Sequence, residues 1–370
     1  MPIFELREVI NFPSLKDRYF QPVFFNNLTE ALQKAYDAFD ASKFNQLLYD
    51  KSWEEKELKA RMRHASLCLH QTLPQDYLQA IGILKQVAPQ FNDFDGMLFP
   101  DFVEVYGVED WQTSIPALEL FTQFSSAEFA IRPFIEKYFE QTMDKMLEWS
   151  THQNYHVRRL ASEGCRPRLP WASPLRMLKK DPAPILPILE NLKSDETDYV
   201  RRSVANNLND IAKDHPEVVI KTAKTWFGHS KETNWIVKHA CRTLLKQGNP
   251  EVLAIFGFQD ASNVKVEELI ITKDTLKIGE ELEFSFTIVP DQEAKLRIEY
   301  GIDYLKANGS SSRKVFQISE SEYKADETKE FVKKQSFKNM TTRKHHPGKH
   351  SLAIIVNGLE KTKVDFELQK

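Results

Sequence analysis

From residue 29 to about residue 255, apolar residues recur three or four positions apart, with proline, glycine or Asn-Asp punctuation between the runs. That spacing puts them on one face of a 3.6-residue helix, so this larger part of the chain reads as amphipathic helices with almost no strand signal. A weak repeat runs through its second half: Asn154-Tyr155-His156-Val157-Arg158-Arg159, Asp198-Tyr199-Val200-Arg201-Arg202 and Asn234-Trp235-Ile236-Val237-Lys238-His239. Each copy has an aromatic residue, a valine and two basic-type residues, and the valines are 43 and 37 positions apart. This suits the roughly 40 to 47 residue period of HEAT-type helix pairs, which stack into a solenoid with a concave face.

After Gly257 the pattern changes to short β-branched or aromatic-rich runs separated by turn residues, at 282–289, 294–302, 313–319, 331–337, 351–357 and 361–368. Asn357-Gly358 between the last two is a strong hairpin signal, because a type I′ turn needs positive φ at both central residues. With one more strand near 266–272 the count is seven, as in an immunoglobulin-like sandwich without its inter-sheet disulfide. The predicted fold class is therefore a multidomain α + β chain. A HEAT-like α-helical solenoid over 1–260 precedes an immunoglobulin-like antiparallel β-sandwich over 261–370, with the change falling near 257–264.

Composition narrows the class. With 370 residues, 41% hydrophobic and 28% charged, the chain is too apolar for disorder and long enough for two domains. The start MPIFELREVI lacks a basic segment followed by an apolar one, and no run approaches the roughly 20 apolar residues of a membrane span. A cytoplasmic protein with no membrane partner is expected. Cys68, Cys165 and Cys241 lie far apart with no CxxC pair, so neither a disulfide framework nor a cysteine-rich zinc site is indicated, and Cys68 and Cys241 read as small core residues. His345 and His346 adjoin without a second ligand cluster, so no metal and no cofactor is expected.

The net charge of −3 hides an asymmetry. Residues 1–150 hold 14 Lys+Arg against 23 Asp+Glu, residues 151–250 hold 17 against 10, and residues 263–370 hold 19 against 18. A basic block of this kind can gather a polyanion by releasing counterions, or can be ordinary solvated helix surface.

The most unusual segment is Ser162-Glu163-Gly164-Cys165-Arg166-Pro167-Arg168-Leu169-Pro170-Trp171, followed by Ala172-Ser173-Pro174. A helix over 155–163 should stop at Gly164 in a left-handed C-terminal position. Glu163 then sits in the last turn, where the macrodipole disfavours an acid. A pair with Arg159, four residues earlier, would explain it structurally, and function is the other explanation. The prolines and arginines beyond should hold an extended loop presenting Trp171 ahead of a helix starting at Ser173-Pro174. Its ring either plugs the packing or faces a cation. Val200, Val204, Leu208 and Ile211 mark a buried stripe, which leaves Ser203, Asn206, Asn207 and Asp210 on a polar face whose plainer reading is solvated surface. In Ser125-Ser126-Ala127-Glu128-Phe129-Ala130-Ile131-Arg132-Pro133 a lone carboxylate interrupts an apolar helix, and Glu128 can pair with Arg132.

The strings SEGCRPRLPWA at 162–172, SAEFAIRPF at 126–134 and VRRSVANNLNDI at 200–211 resemble the AlkC family of bacterial DNA alkylation-repair glycosylases. The similarity covers nearly the whole chain, including the tract Thr341-Thr342-Arg343-Lys344-His345-His346-Pro347-Gly348-Lys349-His350-Ser351-Leu352, typical of members with the immunoglobulin-like domain. The resemblance implies excision of cationic N-alkylated bases, chiefly 3-methyladenine with 3-methylcytosine, from double-stranded DNA and without base flipping; a monomer is the default expectation for a protein that clamps DNA. It carries the catalytic roles to Glu128, Glu163, Trp171 and Asp210, and a DNA contact to Arg159. Arg158, Arg166, Arg168, Arg201 and Arg202, with Arg343, Lys344 and Lys349 in the C-terminal tract, are expected to supply further phosphate contacts.

An N3-alkylated base is already cationic and leaves neutral, so the acids are expected to oppose the charge of an oxocarbenium-like sugar and to position water. Two other readings stay open on the residues alone. One is a non-catalytic helical-repeat binder of damaged or branched DNA, which needs the basic face but not the acids, and the other is a protein–protein scaffold.

Overall fold

The computed structural model describes residues 15–340 and 343–370. The expectations that fall on the first ten residues and on Thr341 and Thr342 lie outside the described residues. Among those described, helices run from Leu15–Arg18 to Pro250–Ile255, and every strand lies between Val264 and Gln369. The chain divides into two compact units, residues 1–214 and 215–370, so the last four helices belong with the strands. No helix among the described residues is long and apolar enough to cross a membrane.

The three repeat copies open three helices. These are Tyr155–Gly164, capped by the Asn154 side chain, Asp198–Ile211, and Lys231–Ala240, capped by Ser230. An N-cap side chain satisfies a backbone N–H that the first turn leaves without a partner. Val157, Val200 and Val237 are all buried, whereas Tyr155, Tyr199 and Trp235 are 41%, 39% and 40% exposed. The repeat seen in sequence is thus a repeat of environment. Burying each valine is worth about 1.5–3 kcal/mol.

In the second unit the strands are β1 (Val264–Ile271), β2 (Thr275–Lys277), β3 (Glu281–Pro290), β4 (Ala294–Leu305), β5 (Ser311–Tyr323), β6 (Lys329–Ser336), β7 (Gly348–Val356) and β8 (Leu359–Gln369). They form a three-stranded sheet ordered β1-β3-β6 and a five-stranded sheet ordered β2-β8-β7-β4-β5. Seven of the eight were expected. The eighth, β2, has only three residues and pairs parallel with β8, and so short a run has no detectable alternation. Phe284, Phe286 and Ile288 on β3 share one core with Ile298, Tyr300 and Ile302 on β4 and with Leu352, Ile354 and Val356 on β7. The β7–β8 turn has φ 46° at Asn357 and 79° at Gly358, as the Asn-Gly pair predicted. A Cβ on Gly358 would lie 2.5 Å from Gly248 Cα, which keeps both positions as glycine.

Gly164 departs from expectation. The helix runs through it, and it is not among the glycines of positive φ. Its lack of a side chain serves packing instead: an added Cβ would meet Ile131 Cγ2 at 2.5 Å and Met146 Cε at 2.8 Å. Gly164→Ala should therefore lower stability by about 1–3 kcal/mol through overpacking. Urea denaturation checks this, and an unchanged or raised midpoint would contradict the packing account.

Candidate functional site

The helices Tyr155–Gly164 and Asp198–Ile211 pack on each other along a polar seam. Ser162 Oγ donates to Ser203 Oγ at 2.6 Å, and Asn207 Nδ2 donates to the Ser162 carbonyl at 2.8 Å. Ser203 and Asn207 are buried, so this part of the polar stripe is an interhelical contact and not solvated surface. Asp210 on the same stripe is only 2% exposed, and Glu163 on the facing helix is 5% exposed. Buried carboxylates need partners, because desolvating an unpaired charge costs several kcal/mol (about 3–5 on losing one partner).

Two arginines supply them. Arg166 donates from Nη1 to Glu163 Oε1 at 2.7 Å and from Nε to Asp210 Oδ2 at 2.9 Å. Arg159 pairs through Nη1 with Glu128 Oε2 and approaches Glu163 Oε1 through Nη2 at 3.5 Å. Lys213 Nζ donates to Asp210 Oδ1 at 3.1 Å, and Ser126 Oγ donates to Glu128 Oε2 at 2.8 Å. Acid and base thus alternate from Glu128 through Arg159, Glu163, Arg166 and Asp210 to Lys213. Burial would weaken the charge on Arg159, but Glu128 and Glu163 more than reverse this and hold the guanidinium above the ordinary arginine range. At Arg166 burial is likewise outweighed, by Glu163 and Asp210. Among the described residues, Glu163 Oε2 and Glu128 Oε1 accept no hydrogen bond, whereas both Asp210 oxygens do.

The structure therefore gathers three of the four residues expected to be catalytic. Glu128 lies in a turn, not within a helix, and its partner is Arg159 rather than Arg132. It lines a cavity of about 310 Å³ with Asp93, Phe94, Met97, Phe124, Ser125, Ser126, His156 and Tyr199. Tyr199 carries the Arg159 guanidinium 4.5 Å above its ring. The fourth residue, Trp171, is not on that wall. It lines a separate cavity of about 240 Å³ with Lys59, Phe129 and Arg132, among others.

Trp171 is 59% exposed, so it is no packing plug, and its φ of 63° is left-handed. For a non-glycine residue this costs of order 1–3 kcal/mol and persists only where the surroundings impose it. Arg132 imposes much of it. Its Nη1 donates to the carbonyls of Gly164 (3.0 Å) and Arg166 (2.9 Å), and its Nη2 to that of Ser173 (2.7 Å). The next helix starts at Arg176 and not at Ser173-Pro174, because the Leu175 N–H is drawn back to the Pro167 carbonyl at 3.2 Å.

Several basic residues expected on phosphates are committed within the protein. Arg166 is buried, and with Arg159 it braces the acids. Arg158 is held by Asp195 at 2.6 Å and by Glu196, and Arg201 by the carbonyls of Asp195 and Glu196. Local acids at i,i+3 or across a helix pair took these arginines, which a charge count over a window cannot show. Arg168 pairs with Asp214 yet stays partly exposed, and Arg202 is the most exposed of the group while touching Asp198. In the second unit Arg343 lies over the Tyr304 ring at 5.1 Å, Lys344 is exposed, and Lys349 reaches Asp365 at 2.7 Å. Cys68, Cys165 and Cys241 are free and buried, and burial pushes the Cys165 thiol up to about 12. Among the described residues no group of three or more His, Cys, Asp or Glu could hold a metal.

Sequence reasoning gave no role in the site to Ser126, Tyr199 or Lys213, and gave Arg132 only a pairing with Glu128. Lys213 was legible as the i+3 neighbour of Asp210. Arg132 was not, since its carbonyl partners lie 32, 34 and 41 residues away.

Residues 108–244 match the family described as DNA alkylation repair enzyme, and residues 265–370 match the one described as the C-terminal Ig-like domain of the uncharacterised protein YhaZ. YhaZ of Bacillus subtilis is 48% identical over 96% of this chain and 99% of its own length. The alkylpurine DNA glycosylase AlkC of Pseudomonas fluorescens, solved bound to DNA containing an abasic site analog, is 39% identical. It covers 97% of this chain and all of its own, with a TM-score of 0.91.

The charge alternation makes a stability prediction. Arg166→Met strands Glu163 and Asp210 beside an apolar side chain and should cost about 3–5 kcal/mol in chemical denaturation. A loss below about 1 kcal/mol, the value of an exposed pair, would show that the cluster is not a buried network.

Proposed function

This chain belongs to the AlkC family of DNA alkylation-repair proteins, and from that membership and the acid cluster we propose a DNA glycosylase. It cleaves the N-glycosidic bond of cationic N-alkylated bases, 3-methyladenine foremost and 3-methylcytosine with it, in double-stranded DNA. The observation that carries the reading is the gathering of Glu128, Glu163 and Asp210 by two arginines, with a free carboxylate oxygen on each glutamate.

Alkylation at N3 gives the base its positive charge before the enzyme acts. The glycosidic electron pair then neutralises the departing base, so no general acid is needed. What remains is a sugar with positive charge spread over C1′ and the ring oxygen. Carboxylates already fixed in position stabilise that charge without reorganising at the moment of reaction. Water adds to C1′, and its proton passes to a carboxylate. Glu163, with Oε2 free and Oε1 anchored, suits that last task. Asp210 opposes the sugar charge and holds Arg166, and Glu128 completes the site beside the aromatic cavity. Trp171, with its ring largely exposed, contacts the lesion nucleotide.

Excision proceeds without a base-capturing pocket. In support, neither Glu163, Asp210 nor Trp171 lines the cavity that holds Glu128. Arg168, Arg202, Arg343, Lys344 and Lys349, all half-buried or exposed, carry the phosphate contacts in this reading. Such contacts add affinity without sequence preference.

DNA strands treated with dimethyl sulfate, then annealed to duplex and incubated with the full chain, should release 3-methyladenine and 3-methylcytosine, resolved by chromatography. Release of neither base overturns the proposal. For the phosphate contacts, replacing Arg343 and Lys344 together with alanine should flatten the log–log dependence of duplex affinity on salt, by about 0.9 for each phosphate no longer neutralised. An unchanged slope would remove both residues from the DNA interface.

A further inference from the structure

Lys59 is the second residue of the helix Leu58–His70, where the unpaired N–H groups of the first turn carry partial positive charge. A lysine there works against the helix, so its place calls for another explanation. Its ammonium Nζ donates to the carbonyl of Trp171 at 2.8 Å, 112 residues further along the chain, and lies 4.0 Å from the centroid of the Phe129 ring. Lys59 and Trp171 together line two cavities, one of about 240 Å³ with Phe129, Arg132 and Glu136, and one of about 480 Å³ with Leu15, Lys16 and Glu57. The pair thus forms a shared wall between them.

The peptide that Lys59 holds belongs to the residue whose φ is left-handed. Arg132 ties down the chain on either side of Trp171, at Gly164, Arg166 and Ser173, but bonds nothing of Trp171 itself. Among the described residues, the Lys59 ammonium makes the one side-chain hydrogen bond to the Trp171 carbonyl. Burial lowers the Lys59 amine below the ordinary lysine range, while Glu104 and Asp101 pull it upward.

We propose that Lys59 is a positioning residue for the glycosylase reaction: it locks the strained Trp171 peptide and so fixes the direction in which the indole meets the lesion nucleotide. The inference rests on the functional reading above and deepens it. Lys59 touches no reacting atom and acts through Trp171. Misplacing a contact group by about an ångström can cost around a hundredfold in rate.

A double-mutant cycle tests this, with single-turnover excision of 3-methyladenine as the readout. Lys59 is only partly buried and sits at a helix end, so Lys59→Met should fold. The substitution should slow excision about ten- to hundredfold while leaving affinity for undamaged duplex and its salt slope unchanged. In the Trp171→Ala background the same change should cost less than about twofold, because the peptide it orients no longer carries an indole. Lys59→Arg, which keeps a donor, should recover most of the rate. Equal losses in both backgrounds, an altered salt slope, or no loss at all would overturn the proposal. A wild-type chain that releases no base would instead overturn the glycosylase reading.

Discussion

Two guanidinium groups lie between three carboxylates, and the rest of the helical unit is arranged to keep them there. Arg159 and Arg166 are drawn from one helix and the loop that follows it, Asp210 from the helix packed against it, and Glu128 from a turn more than thirty residues earlier. Each acid would be costly to bury alone, and each arginine would be costly to bury without its acids. The interhelical seam through Ser162, Ser203 and Asn207 sets the register at which Arg166 can reach Glu163 and Asp210 together. Gly164 lets that helix approach Ile131 and Met146. In this account the pairing is also the source of function, since a carboxylate anchored through one oxygen can meet a cationic sugar with the other at no cost in reorganisation.

A second constraint is the shape of the loop that carries Trp171. Its prolines restrict the chain, Arg132 binds the carbonyls of Gly164, Arg166 and Ser173 on either side of Trp171, and Trp171 is left in a conformation that a non-glycine rarely adopts. Strain of this kind, at an exposed aromatic, is what pre-organisation costs elsewhere in proteins. Proline and arginine content made the loop conspicuous in the sequence. Its conformation was not legible, because the groups that set it come from residues 59 and 132.

Legibility followed the range of the interactions. The helical region, the immunoglobulin-like strands and the Asn357-Gly358 turn are written in local periodicity and turn chemistry, and the structure has them. The strand β2 was missed because it is too short for alternation to show. The polar face that carries Asp210 is legible in the sequence but its burial is not, because a helical stripe does not reveal whether a second polar stripe covers it. The basic block from 151 to 250 was real, yet Arg158, Arg159, Arg166 and Arg201 are spent on acids and carbonyls nearby. Charge summed along a chain counts residues and not their partners. The family, in contrast, was legible from three short strings, and relatives matching nearly the whole chain bear it out.

The central claim is that Glu163, anchored through one oxygen, speeds excision by setting the other against the cationic sugar and the water that attacks it. The most direct measurement is the single-turnover rate of 3-methyladenine excision by Glu163→Gln beside its affinity for duplex carrying an abasic-site analogue. Removing one preorganised electrostatic group should lower the rate about 10²–10³-fold, with the fold retained. An excision rate equal to that of the unaltered protein would contradict the account.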